Sequence, residues 1–475
     1  MSLIFNDTLS LPTGETITLN SEQIKGIQKI KNWLFNDRKN KYFTLSGYAG
    51  TGKTTCIKKI FETYKRGVVV SAPTHKAKKV ISNITQKRGQ TLHSLLGLRP
   101  DTNLDDFNPN DPQFNPIAIP KITDYNLVII DEASMINADL FDLIKTMTEG
   151  SGTKILFMGD PAQIPPVGEK KSVVFFDDTI KKHHLIKIER QNLKNPLTKI
   201  YTEIRNSLEE LDWSFPRKTN LNENNEGIVF TTDKIEFRKR TLEMFKSQEF
   251  KEDLDFCRLI AWKNETIKRS NKIIRNNLFK NPQNIVIGGD VLMGYRTVMS
   301  PNMRQTIIEN SADYRVINVS SLTKNQYGLN GFIVTIEEEI TKNRSDIKEL
   351  FIIDANDHKT LHDYAELHDI YKEEAKENKK KWQEYYSFRR SSILMKTIDR
   401  YRNGLYRPTW DIIVKDLDYG FAITAHKSQG STYSHAFIIE TDINDNWVLK
   451  ERNQIKYVAL TRPKISVTLL TSKID

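Results

Sequence analysis

Cysteine is nearly absent. Cys56 and Cys257 are the only two in 475 residues, which excludes a cysteine-rich zinc site or a disulfide framework and points to a reducing compartment. Cys56 reads as a small core residue. Long apolar runs are lacking too, and the first residues, Met1 to Asp7, do not show the basic-then-apolar order of a secretory signal. The expectation is a protein with no membrane partner that stays in the cytoplasm. Internal repeats and low-complexity linkers are missing. An acidic excess is missing as well: 71 Lys and Arg stand against 60 Asp and Glu, a net charge of +11, and a polyanionic partner is the natural reading. A hydrophobic fraction of 38% and a charged fraction of 28% suit a globular chain.

What is present is organised around residues 43–61. A short β-prone run leads into Gly47-Tyr48-Ala49-Gly50-Thr51-Gly52-Lys53-Thr54-Thr55, and an amphipathic helix start follows. Strand, glycine-rich turn and helix together give the phosphate-loop pattern its meaning. The glycines let consecutive N–H groups turn inward toward a phosphate, and the helix adds its own unpaired N–H groups. Lys53 reaches for the β- and γ-phosphates and the Thr54 hydroxyl for Mg2+. Upstream, helical spacing begins at Ser21 with Ile24, Ile27, Ile30 and Trp33. There Gln23 has two readings, a first-turn capping residue or a side chain that reads an adenine edge.

Three more buried runs predict parallel strands. Gly67 to Ser71 ends in Ala72-Pro73-Thr74-His75-Lys76, a hydroxyl, a ring and a cation suited to the phosphates and bases of a single strand. Leu127 to Ile130 ends in Asp131 and Glu132, the first placed for Mg2+ and the second to polarise a water. Lys154 to Met158 ends in Gly159-Asp160-Pro161-Ala162-Gln163, where a glutamine amide can sense the γ-phosphate. Residues 99–121, rich in Pro, Asn and Asp, suggest a small insertion in which Phe107 and Phe114 either part a duplex or pack on their own loop.

A fresh strand around Leu185 to Gln191 is expected to begin a second lobe, with Arg190 as a candidate for transition-state charge. The helix with Lys268, Arg269, Lys272 and Arg275 reads as a solvated face or a backbone track. Residues 288–404 suggest a small β-barrel or hairpin module followed by a charged helix from Asp369 to Arg402. That helix carries Lys379-Lys380-Lys381 and Arg389-Arg390, read chiefly as a solvated face. The last quarter returns to α/β pattern, with Thr424, His426 and Lys427 where a strand meets a helix and Arg462 as a second arginine candidate.

In order, the motifs are Gly-Tyr-Ala-Gly-Thr-Gly-Lys-Thr, Ala-Pro-Thr, Thr-Leu-His-Ser-Leu-Leu, Asp-Glu-Ala-Ser-Met, Gly-Asp-Pro-Ala-Gln-Ile-Pro-Pro-Val-Gly, Thr-Ala-His-Lys-Ser-Gln-Gly and Tyr-Val-Ala-Leu-Thr-Arg. The set resembles the superfamily-one helicases of the 5′-to-3′ class, Dda-type and close to the RecD group. The resemblance covers roughly residues 19–190 and 255–475. It implies an α/β fold of two RecA-like parallel-sheet lobes with an inserted pin subdomain and an inserted SH3-like β-barrel. The first lobe would be 1–90 with 122–184, the pin 91–121, the second lobe 185–287 with 405–475, and the barrel and helical module 288–404.

It further implies ATP and Mg2+ as ligands, with Gln23 on adenine, Gly47, Gly50, Thr51, Gly52, Lys53, Thr54 and Thr55 around the phosphates, and Thr54 with Asp131 on the metal. Glu132 would activate water, Gln163 would sense the γ-phosphate, and Arg190 and Arg462 would be arginine fingers. DNA contacts would fall at Pro73, Thr74, His75, Lys76, Thr91, His93, Thr424, His426 and Lys427, with Phe107 or Phe114 at the pin and Trp410 able to stack on a base. The implied partners are single-stranded and forked duplex DNA, with a single-strand-binding protein or replication and recombination proteins as candidates, and the implied state is a monomer. At Gly168-Glu169-Lys170-Lys171-Ser172 the chain departs from relatives that carry another glycine, which leaves coupling through that loop open. Rival readings are a translocase that strips proteins but unwinds weakly, a non-catalytic nucleic-acid clamp, and an RNA-directed enzyme.

Overall fold

A computed structural model of the chain describes residues 8–10, 16–64, 67–73, 90–98, 118–166, 168–189, 195–208, 217–299, 306–341, 344–399, 401–402, 405–406 and 412–474. The chain divides into two compact units, residues 1–232 with 428–475, and residues 233–427.

The first unit is built on a parallel sheet. Its strands are β1 (Tyr42–Gly47), β2 (Val68–Ala72), β3 (Gln90–Thr91), β4 (Leu127–Ile130), β5 (Lys154–Gly159) and β6 (Lys181–Leu185), in the order β3-β2-β4-β5-β1-β6. Every pairing is parallel. The apolar runs of β4 and β5 alternate between two cores, as strands covered on both faces must. Val128, Ile130, Ile155 and Phe157 pack with Leu140, Phe141 and Ile144 of helix α3 (Ala138–Thr148). Leu127, Ile129, Leu156 and Met158 face the other way, onto Ile27, Ile30 and Trp33 of α1 (Ser21–Asn36) and Ile57 and Ile60 of α2 (Lys53–Thr63). Cys56 is fully buried on α2, and that burial pushes its thiol up to about 12. The unit also holds β7 (Asn220–Leu221), β8 (Gly227–Thr231), β9 (Tyr433–Ile439), helix α4 (Leu449–Leu460) and β10 (Pro463–Leu470). There β8 and β9 flank β10 in parallel and β7 pairs antiparallel with β8.

One strand differs from expectation. The strand expected to begin around Leu185 lies earlier in the chain: β6 ends at Leu185 and pairs parallel with β1 in the first sheet. Its sequence, Lys-Lys-His-His-Leu, hides this because it is an edge strand, whose outer side needs no apolar partner.

In the second unit Cys257–Ala261 pairs parallel with Ala422–Thr424. An antiparallel sheet follows the order Thr323–Lys324, Asn330–Thr341, Asp313–Val319, Val291–Gly294, Leu417–Tyr419, and Arg344–Ile353 pairs with Asn330–Thr341. Of the basic helix, Lys268, Arg269 and Lys272 are exposed. Arg275 is buried and grips Asp290 through two hydrogen bonds of 2.8 and 2.9 Å. The charged helix expected from Asp369 to Arg402 is instead two, His358–Glu377 and Trp382–Arg390. Asp357 sets the start by accepting the Lys359 N–H at 3.0 Å and the Thr360 hydroxyl at 2.6 Å. Nor is Arg389 on a solvated face: it is buried and donates to Asp416 at 2.6 Å. Among the described residues no helix is long and apolar enough to cross a membrane.

Candidate nucleotide site

Strands β1, β4 and β5 run parallel side by side, so their C-terminal ends share one edge, and each ends in chemistry. At the end of β1, Gly50 and Gly52 take left-handed conformations, with φ of 81° and 79°. A side chain at Gly52 would also meet the Gln23 amide nitrogen at 2.2 Å, so both backbone and space require glycine there. The turn is closed by Thr51, whose hydroxyl donates to Tyr48 O at 2.9 Å. Lys53 opens α2, and its ammonium lies on the carbonyls of Gly47 and Tyr48 at 2.6 and 3.0 Å. Thr54 and Thr55 follow in the first turn, half-buried.

Gln23 is buried and engaged at both ends. Its carbonyl accepts the Asn20 N–H at 3.0 Å, completing a capping box in which Asn20 accepts the Gln23 N–H at 2.9 Å. Its amide donates to Thr51 O at 3.0 Å, which braces the phosphate loop against α1. Two more contacts tie residues 186–189 to the same corner. Glu22 accepts the N–H groups of Ile186 and Lys187, each at 2.9 Å, and Glu189 N–H donates to Gly50 O at 2.8 Å.

At the end of β4, Asp131 N–H donates to Ser71 O at 2.9 Å, and Glu132 takes φ 51°, ψ 40°. A left-handed glutamate is a strained conformation that the surroundings must hold. Burial raises the proton affinity of Asp131, against the Glu132 N–H and the Lys53 charge. Glu132 is pushed up to about 7 by burial first and by Asp131 second, while Arg462 and Lys53 pull it down. The turn is clamped from outside: the Ser172 hydroxyl lies 2.9 Å from Ala133 O and 2.7 Å from Ile136 O, and Glu169 accepts the Ala138 N–H at the start of α3 at 2.7 Å. The departing segment 168–172 is thus tied to the acidic turn, a role its composition gave no sign of.

At the end of β5, Asp160 is fully buried, and Gln163 N–H donates to its carbonyl at 3.2 Å. Asp160 takes the Ala162 N–H on one carboxylate oxygen at 2.9 Å and the Tyr457 hydroxyl on the other at 2.5 Å. The same Tyr457 oxygen accepts the Ala49 N–H at 3.1 Å. The sequence does not mark Tyr457 or Asp160 as site residues, because an aromatic in a buried helix carries no local sign of a contact so distant in the chain. Arg462, just past α4, is buried and donates to Val458 O at 2.9 Å and Ser431 O at 3.1 Å, within electrostatic reach of Glu132.

Hydroxyl and carboxylate oxygens at Thr54 and Asp131 are hard donors that suit Mg2+ and not zinc. No cluster of three or more His, Cys, Asp or Glu fit to hold a metal occurs among the described residues. Three polar atoms, Ser71 Oγ, Ser134 Oγ and Gln163 Oε1, are buried along this edge without a hydrogen-bond partner. Such orphans suit a polar ligand.

The remaining candidates lie elsewhere. Pro73 follows β2, whose last residue Ala72 pairs with Thr91 of β3, and Thr91 caps the short helix Leu92–Leu96, which carries His93 half-buried. In the second unit Thr424 is buried and accepts the Lys427 N–H at 3.2 Å, while His426 is exposed. Lys427 donates to Asn310 at 2.7 Å and sits 4.9 Å from the centre of the Tyr295 ring. Thr74, His75, Lys76, Phe107, Phe114, Arg190 and Trp410 lie outside the described residues.

Residues 18–213 match the family model described as an AAA domain. The chain is 26% identical to uncharacterized protein R530 of Acanthamoeba polyphaga mimivirus, over 90% of this chain and 94% of that one. It is 28% identical to the ATP-dependent DNA helicase dda of Enterobacteria phage T4, over 54% of this chain and 56% of the relative. It is also 28% identical to the ATP-dependent RecD2 DNA helicase of Deinococcus radiodurans, over 40% of this chain and 24% of the relative.

Proposed function

We propose that this chain, which is a superfamily-one helicase of the Dda and RecD type, couples ATP hydrolysis to 5′-to-3′ movement along single-stranded DNA and to separation of the duplex ahead. The observation that carries the reading is the meeting of the phosphate loop, the Asp131–Glu132 turn and the Gln163 loop at one edge of one parallel sheet, with Arg462 beside them. Phosphate-binding backbone, a carboxylate pair and cations at one edge are the parts that phosphoryl transfer to water requires.

In this reading Lys53 leaves the carbonyls of its own loop for the β- and γ-phosphate oxygens, and α2 adds the N–H groups of its first turn. Gly47, Gly50, Thr51, Gly52 and Thr55 shape the cradle, and Gln23 braces it and takes the adenine edge. Thr54 and Asp131 would hold Mg2+, which when bound neutralises phosphate charge. Glu132 takes the proton of the attacking water, and Gln163 turns its free carbonyl oxygen toward that water. Arg190 and Arg462 balance the charge that develops on the transferring group.

Movement follows from the difference in contacts before and after hydrolysis. ATP gives the two arginines a charge to close upon, and its loss lets the RecA-like lobes part. Pro73, Thr74, His75, Lys76, Thr91 and His93 of one lobe and Thr424, His426 and Lys427 of the other grip the strand in turn. Trp410 stacks on a base, Phe107 or Phe114 in the 91–121 insertion parts the duplex, and the SH3-like 288–404 module roofs the strand. Backbone and stacking contacts make binding insensitive to sequence and sensitive to salt. A monomer acting on forked DNA, beside a single-strand-binding or replication and recombination protein, completes the reading.

The test is steady-state ATP hydrolysis with and without single-stranded oligonucleotide, in the wild type and Lys53→Ala. Oligonucleotide should raise turnover, and the substitution should abolish it. Turnover indifferent to oligonucleotide would overturn the reading.

A further inference from the structure

Tyr457 joins α4 to both the phosphate loop and the Asp160–Gln163 turn through a single atom. Its hydroxyl donates to Asp160 Oδ2 at 2.5 Å and accepts from Ala49 N at 3.1 Å. The ring is buried and so is the carboxylate. Asp160 accepts only, and a backbone N–H donates only, so the atom between them must do both. Among side chains long enough to reach from a helix, the tyrosine hydroxyl meets that demand with a stiff ring and few rotamers to lose. Phenylalanine fills the same volume and meets neither demand.

The helix around Tyr457 is fastened to the same features. One turn earlier, the Gln454 amide approaches Gln163 O at 3.4 Å. At the very next residue, Val458 O receives the guanidinium of Arg462. Moving Tyr457 therefore moves Arg462 against Gln163 and the loop that carries Lys53.

We infer that Tyr457 is a positioning residue for hydrolysis, its hydroxyl setting the register of the phosphate loop, the Gln163 turn and Arg462 against one another. The inference rests on the reading of this edge as an ATP-hydrolysing site. Tyr457 contacts neither Lys53 nor Thr54 among its hydrogen bonds, so its removal acts on turnover more than on nucleotide capture.

The experiment compares Tyr457→Phe, Asp160→Asn and the double variant in the full chain by oligonucleotide-stimulated kcat, KM for ATP and thermal melting. Tyr457→Phe should lower kcat on the order of ten- to a hundredfold, as loss of a hydrogen bond to a buried charge does. KM should stay within about twofold where the loss is confined to the transition state. The double variant should be no slower than the slower single one, since the two groups act as a unit. A Tyr457→Phe protein at the wild-type rate, one with raised KM and unchanged kcat, or losses that multiply in the double variant would overturn the inference. If Tyr457→Phe does not melt cooperatively, Asp160→Asn alone carries the test, and a wild-type kcat there overturns it. A wild type without oligonucleotide-stimulated turnover instead defeats the functional reading, so the two failures are distinguishable.

Discussion

Gln23 donates its amide hydrogen to Thr51 O at 3.0 Å, so a helix-capping residue also braces the phosphate loop. The capping and nucleotide-site readings of Gln23 are compatible, because the cap holds the side chain where it meets the loop. Gln23→Ala removes half of the capping box and the brace together. It should cost about 1–2 kcal/mol of stability, the usual worth of a cap or a buried hydrogen bond. KM should rise for ATP and GTP alike through the loosened loop, with a further rise for ATP from loss of the contact to the adenine edge. Urea denaturation and paired ATP and GTP kinetics check both parts.

Glu132 is held in the left-handed region at the end of β4. Glu132→Gln keeps size and backbone but removes the proton acceptor. Turnover should fall on the order of a hundred- to ten-thousandfold, the range for loss of a general base. Binding of a fluorescent ATP analogue should persist, and an equal loss of binding would contradict a role confined to hydrolysis.

Ser172 clamps the same turn from below through Ala133 O and Ile136 O. Ser172→Ala leaves a buried carbonyl short of a donor and should destabilise the fold by about 1–3 kcal/mol. Turnover should drop as well, because Glu132 keeps its conformation only while the turn is held. Denaturant melts alongside kcat measure the two effects, and a stable but slow variant would separate them.

Much of the first sheet was legible. Val68–Val70, Leu127–Ile130 and Ile155–Met158 are continuous apolar runs because helices cover both faces, and polar residues follow each of them toward the strand's open end. What stayed hidden depended on partners distant in sequence. The strand Lys181–Leu185 looks like a polar loop until β1 is placed beside it. Arg389 and Arg275 look like solvated charge until Asp416 and Asp290 are folded against them. The helix at His358 starts where the Asp357 carboxylate turns back on its own backbone, earlier than the charge pattern implied. Within the candidate site, the placement of the motif residues at strand ends was readable from spacing, whereas Tyr457, Asp160, Ser172 and Glu169 are placed by contacts that spacing does not encode.

In the proposed function, chemistry at this sheet edge drives directed movement on DNA. The most direct test is unwinding of forked duplexes carrying a 5′ or a 3′ single-stranded tail, with ATP and Mg2+, beside Lys53→Ala. Strand separation from the 5′ tail alone, abolished by the substitution, is the predicted result. Unwinding only from the 3′ tail, or at an undiminished rate in Lys53→Ala, would contradict it.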